Sequence, residues 1–187
     1  RFASEEQRSR MQNFIPVEFT NFDIDEKGFI YTVTAFSESP QNDEMIKKLN
    51  PLGNNIYTGE FMTWGDMPEE SGNESVFHTS YTDIAVDEDG FAYALDSYSG
   101  RIFWFDNVGC QQAIFAGSGS YLGAFVSPVA IDILDGNVIV LDSVKNSITV
   151  FEPTYFGGLV KEAFLLFNGG FYAESKSLFE EIVRMDA

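Results

Sequence analysis

The stretch TDIAVDEDGFAYALDSYSGRIFWFDNVG, residues 82–109, decides the fold of this chain. It predicts three short strands, at Asp83–Val86, Phe91–Asp96 and Arg101–Asp106, because apolar, β-branched and aromatic residues dominate each of them. The segments between these strands are rich in Asp, Ser and Gly, which favour tight turns. The stretch is therefore predicted to form three strands joined by two turns.

The same pattern recurs further along the chain in VAIDILDGNVIVLDSVKNSITVFE, residues 129–152. Placing Asp87 on Asp132 gives a spacing of 45 residues, which becomes 46 at Gly136 after a one-residue insertion. An earlier and more diverged copy occupies residues 22–53. A repeat of this length with several short strands per unit is typical of the blades of a β-propeller.

We therefore predict a mainly β chain with about three propeller blades, forming part of a ring, followed by a helical hairpin. A capping-box pattern at Ser4-Glu5-Glu6-Gln7 predicts a short helix in the connector that precedes the blades. The predicted divisions are a connector at 1–18, a β region at 19–156 with blades at about 19–64, 80–117 and 126–153, and a helix pair at 157–187.

The helical hairpin is predicted from a change of period after residue 157. Apolar residues then recur at helical spacing, and Gly169-Gly170 interrupts them, so two helices are expected at about 159–168 and 172–185. Their apolar faces exceed what two helices can bury against each other.

Charge and composition restrict the partners. The 187 residues include 29 acidic and 11 basic ones, giving a net charge of −18, which repels nucleic acids and anionic membranes. This charge is compatible with cationic partners, with divalent cations, or simply with high solubility. No apolar run is long enough to cross a bilayer, and the single Cys110 excludes an internal disulfide. The chain opens at Arg1 rather than Met, so we expect it to be a segment of a longer protein.

Five residues form the candidate binding surface. Tyr98, Arg101 and Trp104, together with Phe103, are predicted to form an exposed aromatic patch suited to sugar or peptide binding, with packing against adjacent blades as the favoured alternative for Phe103 and Phe105. Asp96 and Asp142 recur at the same place in their repeats, which favours a structural role in the turns.

No catalytic, cofactor-binding or metal-binding residue is predicted. His78 is the only histidine and has no neighbouring Cys or Asp motif, so a catalytic triad or a histidine-rich zinc site is not expected. The segment Asp87-Glu88-Asp89-Gly90 resembles the start of a calcium loop but lacks the bidentate Glu downstream. Its recurrence at a turn indicates that it shapes the turn.

Within the repeats, AVDEDGFAYALD (residues 85–96) followed by Gly100-Arg101-Ile102 resembles the NHL repeat of β-propellers. Residues 170–186 are similar to the second half of a tetratricopeptide repeat. The whole chain resembles the C-terminal half of a bacterial family that joins an NHL propeller to tetratricopeptide helices. This resemblance implies an extracellular or cell-surface location and implies no established activity.

Three functional hypotheses follow. The first is a non-enzymatic binding or scaffold module that recognises a protein, a carbohydrate or a peptide. The second is a hydrolase of the gluconolactonase type, with calcium or another divalent cation as cofactor. The third, RNA binding, is opposed by the charge. Three repeats are fewer than a closed ring needs, so we expect half a ring that either closes with a second copy or stays open.

Overall fold

The computed structural model describes residues 19–34, 45–57, 64–65 and 79–185. This part of the chain contains eleven strands in three sheets, followed by two helices. The predicted fold class, mainly β with blade-like sheets and a C-terminal helical pair, is confirmed. The elements are β1 (Phe19–Ile24), β2 (Ile30–Thr34), β3 (Ile46–Leu49), β4 (Tyr81–Val86), β5 (Ala92–Asp96), β6 (Arg101–Phe105), β7 (Gln111–Ser118), β8 (Ala124–Phe125), β9 (Pro128–Leu134), β10 (Asn137–Asp142), β11 (Ser147–Phe151), α1 (Tyr155–Asn168) and α2 (Tyr172–Met185).

Each sheet is a meander in which neighbouring strands follow the order of the chain. The first sheet contains β1–β3, the second β4–β8 and the third β9–β11. All pairs are antiparallel except β7 and β8, which pair in parallel through Gly117 and Ala124. This pairing ties the glycine-rich crossover between the second and third sheets, residues 117–125, to the second sheet. The apolar pattern of the first repeat also predicts a fourth strand at Asn55–Met62. Its first residue forms an isolated bridge to Leu49, and residues 58–63 lie outside the described part.

The three sheets stack face to face through two apolar layers. Because successive side chains of a strand point to opposite faces, the second sheet contributes to both layers. One face of β6 places Phe103 and Phe105 against Val33 and Ile46 of the first sheet. The other face joins a cluster with the third sheet, whose buried members are Ala85, Leu95, Ile102, Phe125, Ile131, Val138 and Val140. The second sheet is therefore the centre of the β region.

Four connections at the sheet ends share the pattern Asp/Asn-x-x-Gly. In each, the side-chain Oδ1 of the first residue accepts hydrogen bonds from the backbone N–H groups two and four residues later, and the glycine has a positive φ. The four begin at Asp25, Asn50, Asp87 and Asp106. The predicted turn-shaping role of Asp87 is thus confirmed.

The third sheet uses a different connection, which corrects the repeat alignment. Asp135 and Gly136 have φ angles of 50° and 76°, the signature of a two-residue type I′ hairpin. Leu134 pairs with Asn137 at the end of this hairpin, as Asp87 pairs with Phe91 in the second sheet. Leu134, and not Asp132, is therefore the structural equivalent of Asp87. Asp132 therefore lies within β9 and not in the turn, because the shorter loop displaces the sequence alignment by two residues.

The helical hairpin begins earlier than its apolar period predicted. Thr154 is the N-cap of α1, and its side chain accepts a hydrogen bond from the N–H of Gly157 at 3.0 Å, so the helix starts at Tyr155 despite two glycines in its first turn. The two helices pack through aromatic side chains, with the rings of Phe164 and Phe179 5.2 Å apart in an edge-to-face arrangement.

Several predictions fall on residues outside the described part. They are the connector at 1–18 with its short helix, His78, and residues 66–74, which together with Gly65 have the polar composition of a long surface loop. In the remainder of the chain, neither helix combines the length and the apolar character that crossing a membrane requires.

Candidate functional site

The five residues predicted as a binding surface do not form one patch. Tyr98 is exposed in the turn between β5 and β6, and Arg101 follows it at the start of β6. The Arg101 guanidinium lies 5.3 Å from the ring centre of Phe103, and its Nε donates to Ser99 Oγ at 2.9 Å. Trp104 is three residues further along the strand and so faces the opposite side of the sheet. The predicted patch is wrong in this respect, because strand alternation separates its members.

Trp104 belongs instead to an aromatic stack beneath α1. Its ring lies 6.2 Å from Tyr93 with an angle of 13° between the planes, and 5.7 Å from Phe91. The ammonium group of Lys161 on α1 lies 5.6 Å from the centre of the Phe91 ring. This stack supports the junction between the second sheet and the helices.

Asp96 and Asp142 are both buried and organise turns. Oδ1 of Asp96 accepts hydrogen bonds from the N–H groups of Tyr98 and Ser99, at 3.0 and 3.3 Å. Asp142 accepts from four backbone N–H groups, those of Val126, Ser127, Val144 and Lys145. Burial alone raises the pKa of Asp142, but these N–H groups outweigh it and hold the pKa below its usual range. The predicted structural role of both carboxylates is confirmed.

A groove of about 330 Å³ runs over β1, β4 and β9 and reaches the adjacent strands β10 and β11. Its polar side chains include Asp23, Asp83 and Asp132, one from each sheet. Oδ2 of Asp23 accepts a hydrogen bond from Val86 N–H at 2.7 Å, and Oδ2 of Asp83 accepts one from Ile131 N–H at 2.8 Å. Two of the three carboxylates therefore join neighbouring sheets.

The carboxylate of Asp83 is buried and hydrogen-bonded to groups of all three sheets. Burial raises its pKa, and hydrogen bonds from Ile131 N–H, Ile84 N–H and the Asn21 side chain act in the opposite direction without cancelling it. The distance from Asn21 Nδ2 to Asp83 Oδ1 is 2.6 Å. These contacts give Asp83 the role of a structural bridge.

The carboxylates of the described ranges do not gather into a metal centre. No group of three or more His, Cys, Asp or Glu residues among them is placed to hold a metal ion. At the turn that resembles a calcium loop, the ammonium group of Lys161 lies 3.1 Å from Asp87 Oδ2 and 2.6 Å from Asp89 Oδ2. The chain thus supplies its own cation to this turn.

An aromatic cage between the first two sheets is also filled by the chain itself. The ammonium group of Lys48 lies 5.1, 4.9 and 5.7 Å from the ring centres of Phe29, Tyr31 and Tyr57. It donates a hydrogen bond to the carbonyl oxygen of Asn107 at 3.2 Å, and burial lowers its pKa. This cage joins two sheets and leaves no room for an external cation.

The helical hairpin carries a second and more apolar groove, of about 490 Å³. The sequence predicts an excess of apolar surface on these helices but no binding site there. The spacing of Tyr172, Phe179 and Val183, seven and then four residues apart, is the signal that places them on one helix face. The lining residues are Phe167, Tyr172, Ser175, Lys176, Phe179, Glu180, Val183 and Arg184.

The comparisons with known proteins find no matching family and no matching curated protein sequence. Among solved structures, the chain is similar to a streptogramin B lyase, with a TM-score of 0.42 and 15% identity over 76% of this chain and 43% of that one. It is also similar to virginiamycin B lyase from Staphylococcus aureus, with a TM-score of 0.41 and 13% identity over 76% of this chain and 44% of that one. The chain thus spans less than half the length of either lyase.

Proposed function

We propose that this chain is a non-enzymatic interaction module that binds a protein partner through the groove on its helical hairpin. The observation that supports this proposal is a groove of about 490 Å³ on the surface of α1 and α2, with a floor of aromatic and aliphatic side chains. Contiguous exposed apolar surface of this kind marks interaction sites in proteins. The resemblance to NHL and tetratricopeptide repeats, both of which serve as interaction surfaces, supports the same proposal.

The floor of the groove remains exposed although the two helices pack against each other. Phe167, Tyr172 and Val183 are all exposed, while Phe179 is partly buried against Phe164. Burying an exposed aromatic or aliphatic side chain releases about 1.5–3 kcal/mol. An amphipathic helix fits this surface, because a ridge of side chains on one helix packs into the groove between two others.

The charges at the rim favour an acidic partner helix. Lys176 and Arg184 flank the floor, and Glu180 lies 3.8 and 3.6 Å from their respective nitrogen atoms. The rim therefore carries two positive charges and one negative charge, in a chain whose net charge is −18. A peptide with Glu beside an apolar stripe would be attracted here and repelled by the rest of the surface.

The test uses the whole chain and a fluorescent model peptide, an amphipathic helix with Leu at positions i, i+3, i+4 and i+7 and Glu elsewhere. We expect saturable binding in fluorescence anisotropy, and a loss of about tenfold or more in affinity for Val183→Glu, which places a charge on the apolar floor. Val144→Glu is the matched control, because Val144 is 62% exposed and Val183 68%. Equal binding by the two variants, or no binding by the wild type, would contradict the proposal.

A carbohydrate or peptide ligand at Tyr98 and Arg101, and an extracellular location, form part of the same proposal. Tyr98 supports it by its exposure at a turn, where binding residues often lie. The location is supported by the resemblance to secreted bacterial NHL proteins.

The alternative function is a divalent-metal-dependent hydrolase of the gluconolactonase type. The observation that favours it is that three aspartates line one groove over β1, β4 and β9; because these three are not placed to share an ion, the site would need further ligands from outside the described residues. Titration calorimetry with Ca²⁺ and with Zn²⁺ distinguishes the two functions, since only the hydrolase requires a stoichiometric ion lost in Asp132→Asn and retained in Asp135→Asn. Heat from neither ion would favour the interaction module.

A further inference from the structure

The outer face of the third sheet repeats a surface that is buried in the first two sheets. The strand registers align Leu141 and Ile148 with Val33 and Ile46 of the first sheet, and with Leu95 and Ile102 of the second. The four residues of the first two sheets are fully buried against the next sheet. Leu141 and Ile148 are 43% and 63% exposed. The third sheet thus presents the forward-facing surface of a blade with no sheet upon it in the described part of the chain.

The first sheet presents the complementary surface. Ile84 of the second sheet and Ile131 of the third face the preceding sheet and are buried there, at 3% and 6% exposure. The registers place Phe22 at the equivalent position of the first sheet, where it is 59% exposed. The chain therefore exposes, on its third and first sheets, the two surfaces that pack against each other between its first and second sheets and again between its second and third sheets.

A carboxylate bridge accompanies both internal contacts. In the contact between the first and second sheets, Oδ1 of Asp23 accepts a hydrogen bond from the N–H of the next residue, Ile24. Its Oδ2 accepts a hydrogen bond from the N–H of Val86 in the second sheet. Asp83 does the same with the N–H groups of Ile84 and Ile131. When the sheets are aligned by their strand registers, Asp23 is equivalent to Ala85, and Asp83 to Ala130. In both bridges the donor is the residue that follows this equivalent position, Val86 or Ile131.

Asp132 has the same local geometry as Asp23 and could form a third bridge to another sheet. It aligns with Asp23, and its Oδ1 accepts the N–H of Ile133 at 2.8 Å, as Asp23 does with Ile24. Within the described residues, its Oδ2 accepts no hydrogen bond from another sheet. The side chain lies on the same outer face as Val150, which is exposed.

We propose that a second copy of this chain occupies this face, so that the third sheet of each copy packs on the first sheet of the other. The two contacts are equivalent, and they join six sheets into one closed ring, which is within the range of four to eight blades found in propellers. A head-to-tail contact of this kind closes when the rotation between copies completes a circle. A three-sheet unit needs one partner to do so.

The contact is chosen over an unrelated partner because the chain already shows its geometry. Phe22 and Ile24 of the second copy would cover Leu141 and Ile148, as Ile84 and Ile131 cover their neighbours within the chain. The N–H of Ile24 in the second copy stands at the donor position for Asp132, where it would be shared with its own Asp23. This inference concerns a surface different from the helical groove, so either proposal can fail without the other.

The test measures the mass of the whole chain in solution by light scattering coupled to gel filtration, at about 100 μM, where micromolar affinity gives mostly dimer. We expect twice the chain mass of 20.9 kDa. Ile148→Glu and Phe22→Glu should each give a monomer, because each places a charge in both contacts. Leu122→Glu is the control for added charge, since Leu122 is fully exposed in the crossover.

Mixing the two variants tests the head-to-tail arrangement. A pair formed by one Ile148→Glu chain and one Phe22→Glu chain retains one contact between two unaltered faces, so the mixture should recover dimer that neither variant forms alone. A monomeric wild type, a dimeric Phe22→Glu variant, or an assembly larger than two chains would each overturn the closed pair. Circular dichroism of each variant confirms that it is folded.

Discussion

Individual aspartate, asparagine and glycine residues determine the turns that recur between the strands of this protein. The Asp/Asn-x-x-Gly connections place a side-chain oxygen against two backbone N–H groups, which would otherwise lack partners at the ends of the strands. Gly100 has a stricter reason for its identity. Its φ is 69°, and a Cβ atom there would lie 2.9 Å from backbone atoms of Gly117 and Ser118.

We expect Gly100→Ala to lower the free energy of unfolding by about 2–4 kcal/mol, since it adds a backbone clash to the cost of a left-handed conformation. Gly136→Ala is the matched control. Gly136 has a similar φ of 76°, but no atom lies within 4 Å of its Cβ position, so we expect a loss of only about 1 kcal/mol. Urea denaturation measures both values. Equal losses would show that the close approach to β7 is not a constraint.

The helical hairpin is attached to the second sheet through two of its turns. Lys161 binds Asp87 and Asp89 of one turn, and Asn168 Nδ2 donates to Asn107 Oδ1 of another at 2.8 Å. Burial lowers the pKa of Lys161, but the hydrogen bond and charge of Asp89 and Asp87 outweigh it and raise the pKa above 10.5. The ion pair is therefore formed at neutral pH, and the stabilisation that the raised pKa of Lys161 reflects is lost as the pH rises through that pKa.

At the level of this element, we expect Lys161→Met to destabilise attachment of the hairpin by about 1 kcal/mol, because the ion pair is partly buried. The sheets should remain folded. Faster proteolysis within α1 and α2, with unchanged protection of β5 and β6, is the expected result. Lys176→Met removes only the exposed pair with Glu180 and should change neither. If the two variants behave alike, the contact with the turn does not anchor the hairpin.

At the scale of the whole molecule, the β region is a stack, and among the described residues only the second sheet is covered on both faces. Leu95 and Phe103 lie on opposite faces of this sheet and are both fully buried. The third sheet exposes apolar residues such as Ile148 and Val150 on one face. Local stability should follow this order, because opening a sheet exposes the apolar surface that its neighbours cover.

We therefore expect amide hydrogen exchange to be slowest in β5 and β6 and faster in β10 and β11. At a chain concentration low enough to favour the monomer, mass spectrometry of peptides from each strand measures this difference. Raising the concentration should slow exchange in β10 and β11 if a second copy covers that face. Uniform exchange across the two sheets would indicate a single cooperative unit in which position in the stack has no effect.

Much of the fold was predictable because it depends on local patterns. Segments rich in apolar, β-branched and aromatic residues, turns rich in Asp and Gly, and a repeat near 45 residues predicted the strands and the blade-like sheets. The change to helical spacing after residue 157 predicted the hairpin. The turn roles of Asp87, Asp96 and Asp142 also followed from sequence, because each aspartate binds backbone groups only a few residues away.

Only the tertiary structure decided which surfaces are free. The sequence placed Tyr98, Arg101 and Trp104 near one another, but the alternation of β6 and the approach of α1 separated them. The position of Asp132 within β9 depends on a hairpin loop that is one residue shorter than the equivalent loop of the second sheet. Alignment of the two repeats did not reveal this shorter loop. The groove on the helices and the open faces at Phe22 and Ile148 arise from long-range packing, since burial depends on which elements lie against one another in space.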